Sequence, residues 1–286
     1  MRPAGPDDVP ALLELLEAVE RKRFRPPDDW SASTRVVENE HGLSGFALLR
    51  GPIGTGIQVS IAGTDVSVRR RLLSWALAAA SEQRASRLSL WLEKGRTEWL
   101  AGQGFHLARP FWRMDRPDLE AVPEGRLPAG FRLISRDQGL VGDEVWFQSR
   151  NAGFADHWNF AADSAESFER RRRDSDHWLQ LLALNALNAH PAAVAFSSVI
   201  ELGDERRQPV GYVEEVATLP PFRRRGLARA LTIEALGRLR ERGARSASLN
   251  VDALNPTQAY ALYRTLGFEV AREYEVWERA LDRTSS

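Results

Sequence analysis

One stretch in the second half of the chain, residues 213–229, has the residue types needed to bind a diphosphate. A β-branched, apolar run ends at the prolines at 220–221, which cannot extend a strand ladder. Apolar residues return at helical spacing from Leu227. Because Gly226 and Ala228 leave little side chain at the first helical turn, its unpaired backbone N–H groups could close on an anion. The surrounding arginines add positive charge.

Two motifs give this stretch a family context. Residues 223–228 resemble motif A of the GCN5-related N-acetyltransferase (GNAT) superfamily, because Arg223-x-x-Gly226-x-Ala228 meets its Gln/Arg-x-x-Gly-x-Gly/Ala fingerprint. Residues 255–268 resemble the later Asn…Ala…Leu-Tyr-x-x-x-Gly-Phe element. The resemblance implies a mixed α/β fold and acetyl-CoA as the acyl donor.

The resemblance also assigns the coenzyme contacts. It implies that the pantetheine arm meets the backbone of a strand and the pyrophosphate meets the turn and helix, through Val216, Ala217, Thr218, Arg224, Arg225, Gly226, Leu227, Ala228 and Arg229. The alternative is an ordinary glycine turn with a solvated arginine face. Asn255 before Pro256 reads as a helix N-cap followed by the first helical residue. In the family an asparagine here also contacts the coenzyme, and both roles are compatible.

Tyr263 is the candidate proton donor to the coenzyme A thiolate. A phenol has a pKa of about 10 and can protonate a thiolate within hydrogen-bond reach. The alternative is a buried core residue on the apolar face of a helix. Tyr260 is a weaker rival for the same role.

The general base is predicted to be Glu215 or Glu214. Strand alternation puts these two side chains on opposite faces, so only one would face the cleft. Some relatives carry a base glutamate on the following strand, but residues 248–252 read Ser-Leu-Asn-Val-Asp, which leaves open that no single residue serves. His157 and Trp158 lie in an early loop that forms an acceptor wall in this superfamily. His157 could hydrogen-bond an acceptor there, but we expect it to be a packed surface residue.

Composition excludes several classes of protein. Lys+Arg 39 balance Asp+Glu 39, so no net charge attracts the chain to nucleic acid or to a membrane. With no cysteine there is no disulfide and no acyl-cysteine intermediate, which predicts direct transfer in a ternary complex. No metal is expected, because no His/Asp/Glu cluster has ligand spacing. Without a signal peptide or a membrane span, the sequence predicts a cytoplasmic protein.

The order of elements repeats. Gln103-Gly104-Phe105 corresponds to Leu266-Gly267-Phe268, and residues 84–90 resemble residues 244–249. The repeat predicts two tandem α/β domains with mixed sheets, 1–120 and 121–286.

The first copy lacks the chemical residues of the second. The arginines at 69–71 run into Leu72 where the second copy has Gly226, and Leu100 stands where Tyr263 stands. We therefore expect a degenerate first domain and a catalytic second one.

The predicted function is acetyl transfer from acetyl-CoA to an amine of a small molecule. The tandem layout is similar to that of mycothiol synthase, which favours a small-molecule acceptor over a protein. Two alternatives stay open, namely a non-catalytic acyl-CoA-binding regulatory protein and a protein N-terminal or lysine acetyltransferase. A homodimer is compatible with the sequence. The arginine runs at 171–173 and 223–225 lack the interleaved aromatic residues of a nucleic-acid face.

Overall fold

The computed structural model describes residues 1–15, 30–53, 56–173, 179–201 and 209–281. The chain forms two compact units. Unit 1 consists of Met1–Phe111 together with Arg272–Ser286, and unit 2 is Trp112–Ala271. This division differs from the predicted domains 1–120 and 121–286, because the C-terminal strand returns to unit 1. The predicted α/β class with mixed sheets is confirmed.

Unit 1 has helices packed on a mixed sheet. Its strands are β1 (Arg2–Pro3), β2 (Thr34–Asn39), β3 (Gly42–Ile53), β4 (Gly56–Gly63), β5 (Arg87–Glu93) and the part of β12 (Glu269–Ala280) that follows Ala271. They lie in the order β1-β2-β3-β4-β5-β12. Its helices are α1 (Val9–Glu14), α2 (Trp30–Ser33) and α3 (Val66–Glu82). Leu72 and Leu73, on the apolar side of α3, are fully buried with residues of β4 and β5.

Unit 2 repeats this plan. Its strands are β6 (His106–Arg116) from Trp112 onward, β7 (Phe131–Ser135), β8 (Leu179–Asn185), β9 (Pro191–Glu201), β10 (Pro209–Thr218) and β11 (Ser246–Asp252). They lie in the order β6-β11-β10-β9-β8-β7. Its helices are α4 (Asp143–Phe154), α5 (Ala165–Arg173), α6 (Leu227–Glu241) and α7 (Ala259–Thr265).

Helix α6 follows from the apolar period of its sequence. Its buried side includes Leu227, Leu231 and Leu239, which are spaced four and eight residues apart. These side chains pack on the sheet. The helix ends at Glu241, and Gly243 follows with φ +91°, a left-handed conformation that glycine adopts without strain. The predicted strand, turn and helix are therefore confirmed.

Strand β10 has a β-bulge near the point where it stops pairing with β11. Strands β10 and β11 pair in parallel from Val210 to Val213. The register with β9 shifts between Val213 and Glu215, and β10 then continues along β9 as far as Thr218. A bulge bends its strand and ends regular pairing. The sheet therefore opens at the segment predicted to meet the pantetheine arm.

Three sequence predictions fall partly outside the described residues. The first helix is predicted over residues 9–19, and α1 covers Val9–Glu14. The turn at residues 51–56 and the strand start at Trp178 also extend beyond the described residues.

Candidate functional site

A cavity of about 530 Å³ opens in unit 2. Its walls come from the end of β10, the start of α6, the turn before α7, α7 itself and the end of α4. Ten of the predicted site residues line it, namely Val216, Ala217, Thr218, Arg224, Gly226, Leu227, Ala228, Arg229, Asn255 and Tyr263. Predicted residues from distant parts of the chain therefore share one cavity.

The first turn of α6 presents backbone donors to this cavity. Gly226 is the N-cap, with φ 82°, and has no side chain to accept the following N–H groups. Arg224 also has a left-handed backbone, with φ 63°. A helix N-terminus whose N–H groups face a cavity is suited to an anion, and the helix dipole adds to the attraction.

The arginines of this turn have different surroundings. The side chains of Arg224 and Arg229 are exposed at the cavity. Arg225 is exposed but does not line the cavity, and its guanidinium lies 5.7 Å from the ring centroid of Phe222. Arg223 ion-pairs with Asp156, at 2.5 Å between Nη1 and Oδ2, and donates to the Thr218 carbonyl oxygen at 3.1 Å. It therefore fixes the end of β10 against the loop after α4.

Tyr263 lies on the apolar side of α7, where only 8% of it is exposed. Its ring packs edge-on against Phe268, with centroids 6.0 Å apart. Burial raises the pKa of Tyr263 to about 12, because the phenolate would be poorly solvated. The phenol is therefore protonated at neutral pH, as a proton donor must be.

Glu214 and Glu215 do not line the cavity, and both lie towards α4. Glu215 forms a two-pronged ion pair with Arg150 of α4, with N–O distances of 2.8–3.1 Å. Glu214 accepts a hydrogen bond from Ser198 Oγ at 2.8 Å. By alternation Ser198 shares a sheet face with Phe196, whose cluster packs on α4. The predicted opposite orientation is wrong, because the β-bulge interrupts alternation at these two residues.

Arg150 is the cation that pairs with the carboxylates of Glu215 and Asp163. Burial disfavours its charged form, but hydrogen bonding and attraction from Glu215 and attraction from Asp163 outweigh that effect and raise the pKa of Arg150. Both carboxylate oxygens of Glu215 receive hydrogen bonds from it. Glu215 is therefore held as part of a structural ion pair.

Asn255 stabilises a turn, not the helix start. The N-cap of α7 is Gln258, with φ 53°, so the predicted N-cap role of Asn255 is wrong. Its Oδ1 accepts hydrogen bonds from the backbone N–H and the hydroxyl of Thr257, at 2.8 and 2.7 Å. Its Nδ2 lies 3.1 Å from Nε2 of His157.

Four cavity residues come from residues 153–157, for which the sequence predicts no coenzyme contact. Gly153, Phe154, Asp156 and His157 line the wall at the end of α4. A β-carbon on Gly153 would lie 2.6 Å from that of Ala217, so glycine permits the close approach of α4 to β10. The sequence indicates this wall only through the neighbouring rings of His157 and Trp158. The spacing of residues does not predict that His157 contacts Asn255.

The corresponding helix of unit 1 has a different start. The N-cap of α3 is Asp65, whose carboxylate accepts from the backbone N–H of Ser67 and Val68. Arg69 lies within the helix and donates to the Gly63 carbonyl oxygen at 3.0 Å. A carboxylate therefore occupies the N–H groups that are open in α6.

Within the described ranges, no group of three or more His, Cys, Asp or Glu residues could hold a metal ion. No helix in those ranges is long and apolar enough to cross a membrane.

Comparison with known families agrees with this geometry. The model of the Acetyltransferase (GNAT) family matches residues 144–268. That match contains all but the first residue of α4, and the whole of the bulged strand β10, α6 and α7, which are the elements that form the cavity.

Curated relatives extend the similarity over most of the chain. A mycothiol acetyltransferase of Thermobispora bispora is 34% identical over 170 residues, 59% of this chain and 56% of the relative. One from Salinispora arenicola is 30% identical over 263 residues, 86% of this chain and 81% of the relative. One from Geodermatophilus obscurus is 28% identical and covers 97% of this chain and 95% of the relative.

Solved structures share the tandem fold. A GCN5-related N-acetyltransferase from Sphaerobacter thermophilus aligns with TM-score 0.75 at 20% identity, over 98% of this chain and 95% of that one. A tandem GNAT protein from the clavulanic acid biosynthesis pathway aligns with TM-score 0.72 at 16% identity, over 100% and 98%. The relatives and the family model together show that this chain belongs to the GNAT family of N-acetyltransferases.

Proposed function

We propose that this enzyme transfers an acetyl group from acetyl-CoA to an amine of a small molecule, and that unit 2 holds the coenzyme. The observation that carries the proposal is the single cavity shared by the open N-terminus of α6, the end of β10 and Tyr263. The family uses acetyl-CoA as co-substrate. The names of the curated relatives, mycothiol acetyltransferases, support a small-molecule acceptor.

The cavity walls suit the parts of the coenzyme. The N–H groups of Leu227, Ala228 and Arg229 would hold the pyrophosphate, with Arg224 adding charge. Beyond the bulge, the backbone of β10 at Val216–Thr218 would bind the amide-containing pantetheine arm, because this segment has left its ladder with β11. Arg225 would contribute only by its general positive charge, since it does not line the cavity.

We assign the proton donor to Tyr263 and the base to Glu214. Reaction joins the amine nitrogen to the acetyl carbon as the carbon–sulfur bond breaks. Glu214, which does not line the cavity, would take the proton from nitrogen through water, and Tyr263 would hydrogen-bond to the sulfur, which leaves as the thiolate. Glu214 is favoured because Glu215 is bound through both oxygens to Arg150. Since a cysteine-like thiol has a pKa of about 8.5, a donor of pKa about 12 acts best by hydrogen bonding to the thiolate as it leaves.

We propose that unit 1 has no coenzyme site at the equivalent helix. Asp65 occupies the backbone donors of α3, and its negative charge would repel a pyrophosphate. This arrangement supports the prediction of a degenerate first copy. The role of unit 1 would then lie in packing or in shaping the acceptor site.

Calorimetric titration with acetyl-CoA tests the proposal. Wild type should bind one coenzyme, and Ala228→Glu should weaken binding more than about tenfold, because it places a carboxylate at the anion site. Gly237→Glu is the matched control, since it adds the same charge to α6 outside the cavity and its β-carbon meets nothing within 4 Å. Equal affinity of all three proteins would contradict the assignment of unit 2.

A second experiment separates an enzyme from a regulatory binding protein. Small-molecule amines would be screened as acceptors by measuring released thiol, and Tyr263→Phe would then be tested with the best one. An enzyme of the proposed kind should lose turnover in the variant and retain coenzyme binding. Binding by wild type without turnover of any amine or peptide substrate would favour the regulatory alternative, and turnover of peptides alone would favour a protein acetyltransferase.

A further inference from the structure

Two walls of the coenzyme cavity are joined by one side-chain contact. His157 lies in the loop after α4, and Asn255 lies in the turn before α7. Although they are 98 residues apart, Asn255 Nδ2 lies 3.1 Å from His157 Nε2, and both residues line the cavity. The contact therefore connects two elements that must lie correctly around a coenzyme.

The neighbours of Asn255 fix the direction of this hydrogen bond. Its Oδ1 accepts from the backbone N–H of Thr257, which can only donate, at 2.8 Å. The other end of the amide is therefore the NH₂ group, which donates to His157. His157 Nε2 must be the acceptor, so the imidazole is neutral and carries its proton on Nδ1.

The loop that carries His157 is held on the side of β10 as well. The His157 ring packs edge-on against Phe154, with centroids 5.1 Å apart. The backbone N–H of His157 donates to the Phe154 carbonyl oxygen at 2.8 Å. The neighbouring Asp156 ion-pairs with Arg223, which in turn donates to the Thr218 carbonyl oxygen. The loop thus links the end of the pantetheine strand with the turn that leads into α7.

We propose that His157 is a positioning residue that holds the Asn255 turn, and with it α7 and Tyr263, against the bound coenzyme. The catalytic part of this inference rests on the proposed function. What His157 supplies is an acceptor nitrogen at Nε2, not a positive charge. A side chain that places a hydrogen-bond acceptor at the same distance from Asn255 should substitute for His157, whereas a side chain without an acceptor should not.

Kinetics of matched variants test this role. His157→Ala should lower kcat about tenfold or more with a smaller change in the KM for acetyl-CoA, because small displacements of a catalytic group are costly. His157→Gln should recover most of the loss through its amide oxygen. In an Asn255→Ala background, His157→Ala should have little further effect. Rates would be divided by the folded fraction measured by circular dichroism, and His41→Ala, at a site 84% exposed, is the control.

Equal activity of His157→Ala and wild type would overturn the role, and so would additive losses from His157→Ala and Asn255→Ala. A Gln variant no better than the Ala variant would also overturn it. These outcomes leave coenzyme binding by wild type intact, so they are distinct from failure of the proposed function.

The contact can be tested without any activity. Nitrogen NMR of the full chain labelled with ¹⁵N-histidine should show His157 protonated on Nδ1 at neutral pH, with its Nε2 signal shifted by Asn255→Ala. The His157→Gln spectrum identifies the resonance among the five histidines. A His157 ring protonated on Nε2, or an Nε2 signal unchanged in Asn255→Ala, would refute the proposal even if no acceptor had been found.

Discussion

A β-carbon placed on Gly267 would lie 2.7 Å from Nη1 of Arg116. Arg116 is buried, and it donates to the carbonyl oxygens of Asp118, Ala121 and Leu266, the last being the C-cap of α7. Cations are favourable at a helix C-terminus. The glycine of the Leu-Gly-Phe motif thus leaves space for the arginine that holds the end of the tyrosine-bearing helix.

Gly267→Ala should lower the free energy of unfolding by more than about 2 kcal/mol. Its φ of +79° alone costs an alanine about 1–2 kcal/mol, and the close approach to Arg116 adds to this. Gly243→Ala is the control, because Gly243 has φ +91° and nothing within 4 Å of the added carbon. Urea unfolding would compare the two. Equal losses would mean that the contact with Arg116 contributes nothing.

The two neighbouring glutamates should respond differently to amide substitution. Glu215→Gln should cost roughly 2 kcal/mol of stability, because it weakens the main partner of the partly buried Arg150 guanidinium, although Asp163 remains beside it. Glu214→Gln should keep near-normal stability and lower kcat. Thermal unfolding and single-turnover acetylation would separate the effects. The assignment of the base would be reversed if Glu215→Gln were as stable as wild type and alone lost turnover.

The raised pKa of Tyr263 predicts a dependence on alkaline pH. The folded value of about 12 lies above the ordinary value of 10.0. The protonated phenol therefore contributes its full stability below pH 10, and this contribution is lost as pH rises from 10 through 12. Phenolate absorbance, compared between wild type and Tyr263→Phe, should differ by one group titrating near pH 12. A difference centred at pH 10 would contradict burial of the hydroxyl.

Local patterns in the sequence predicted the elements that frame the site. Helix α6 follows from its apolar period, and β10 from its β-branched run before the prolines. Contacts over long distances in sequence could not be predicted in this way. The bulge that turns Glu214 and Glu215 to one face depends on pairing with β9, and the link between His157 and Asn255 spans 98 residues. The αL residue Gln258 delays the start of α7, and propensity alone favours Asn255 as its cap.

The last strand of the chain gives a test of how the units are built. Residues Tyr274–Ala280 pair antiparallel with Glu93–Arg87 of β5, and the partly buried Trp277 joins the core of unit 1. Removing residues 272–286 would leave β5 with an unpaired edge. Hydrogen exchange of the truncated chain should therefore rise at Arg87–Glu93 and in α3, while α6 keeps its protection. If the predicted domains 1–120 and 121–286 were the folding units, exchange would instead rise in α6 and the first 120 residues would stay protected.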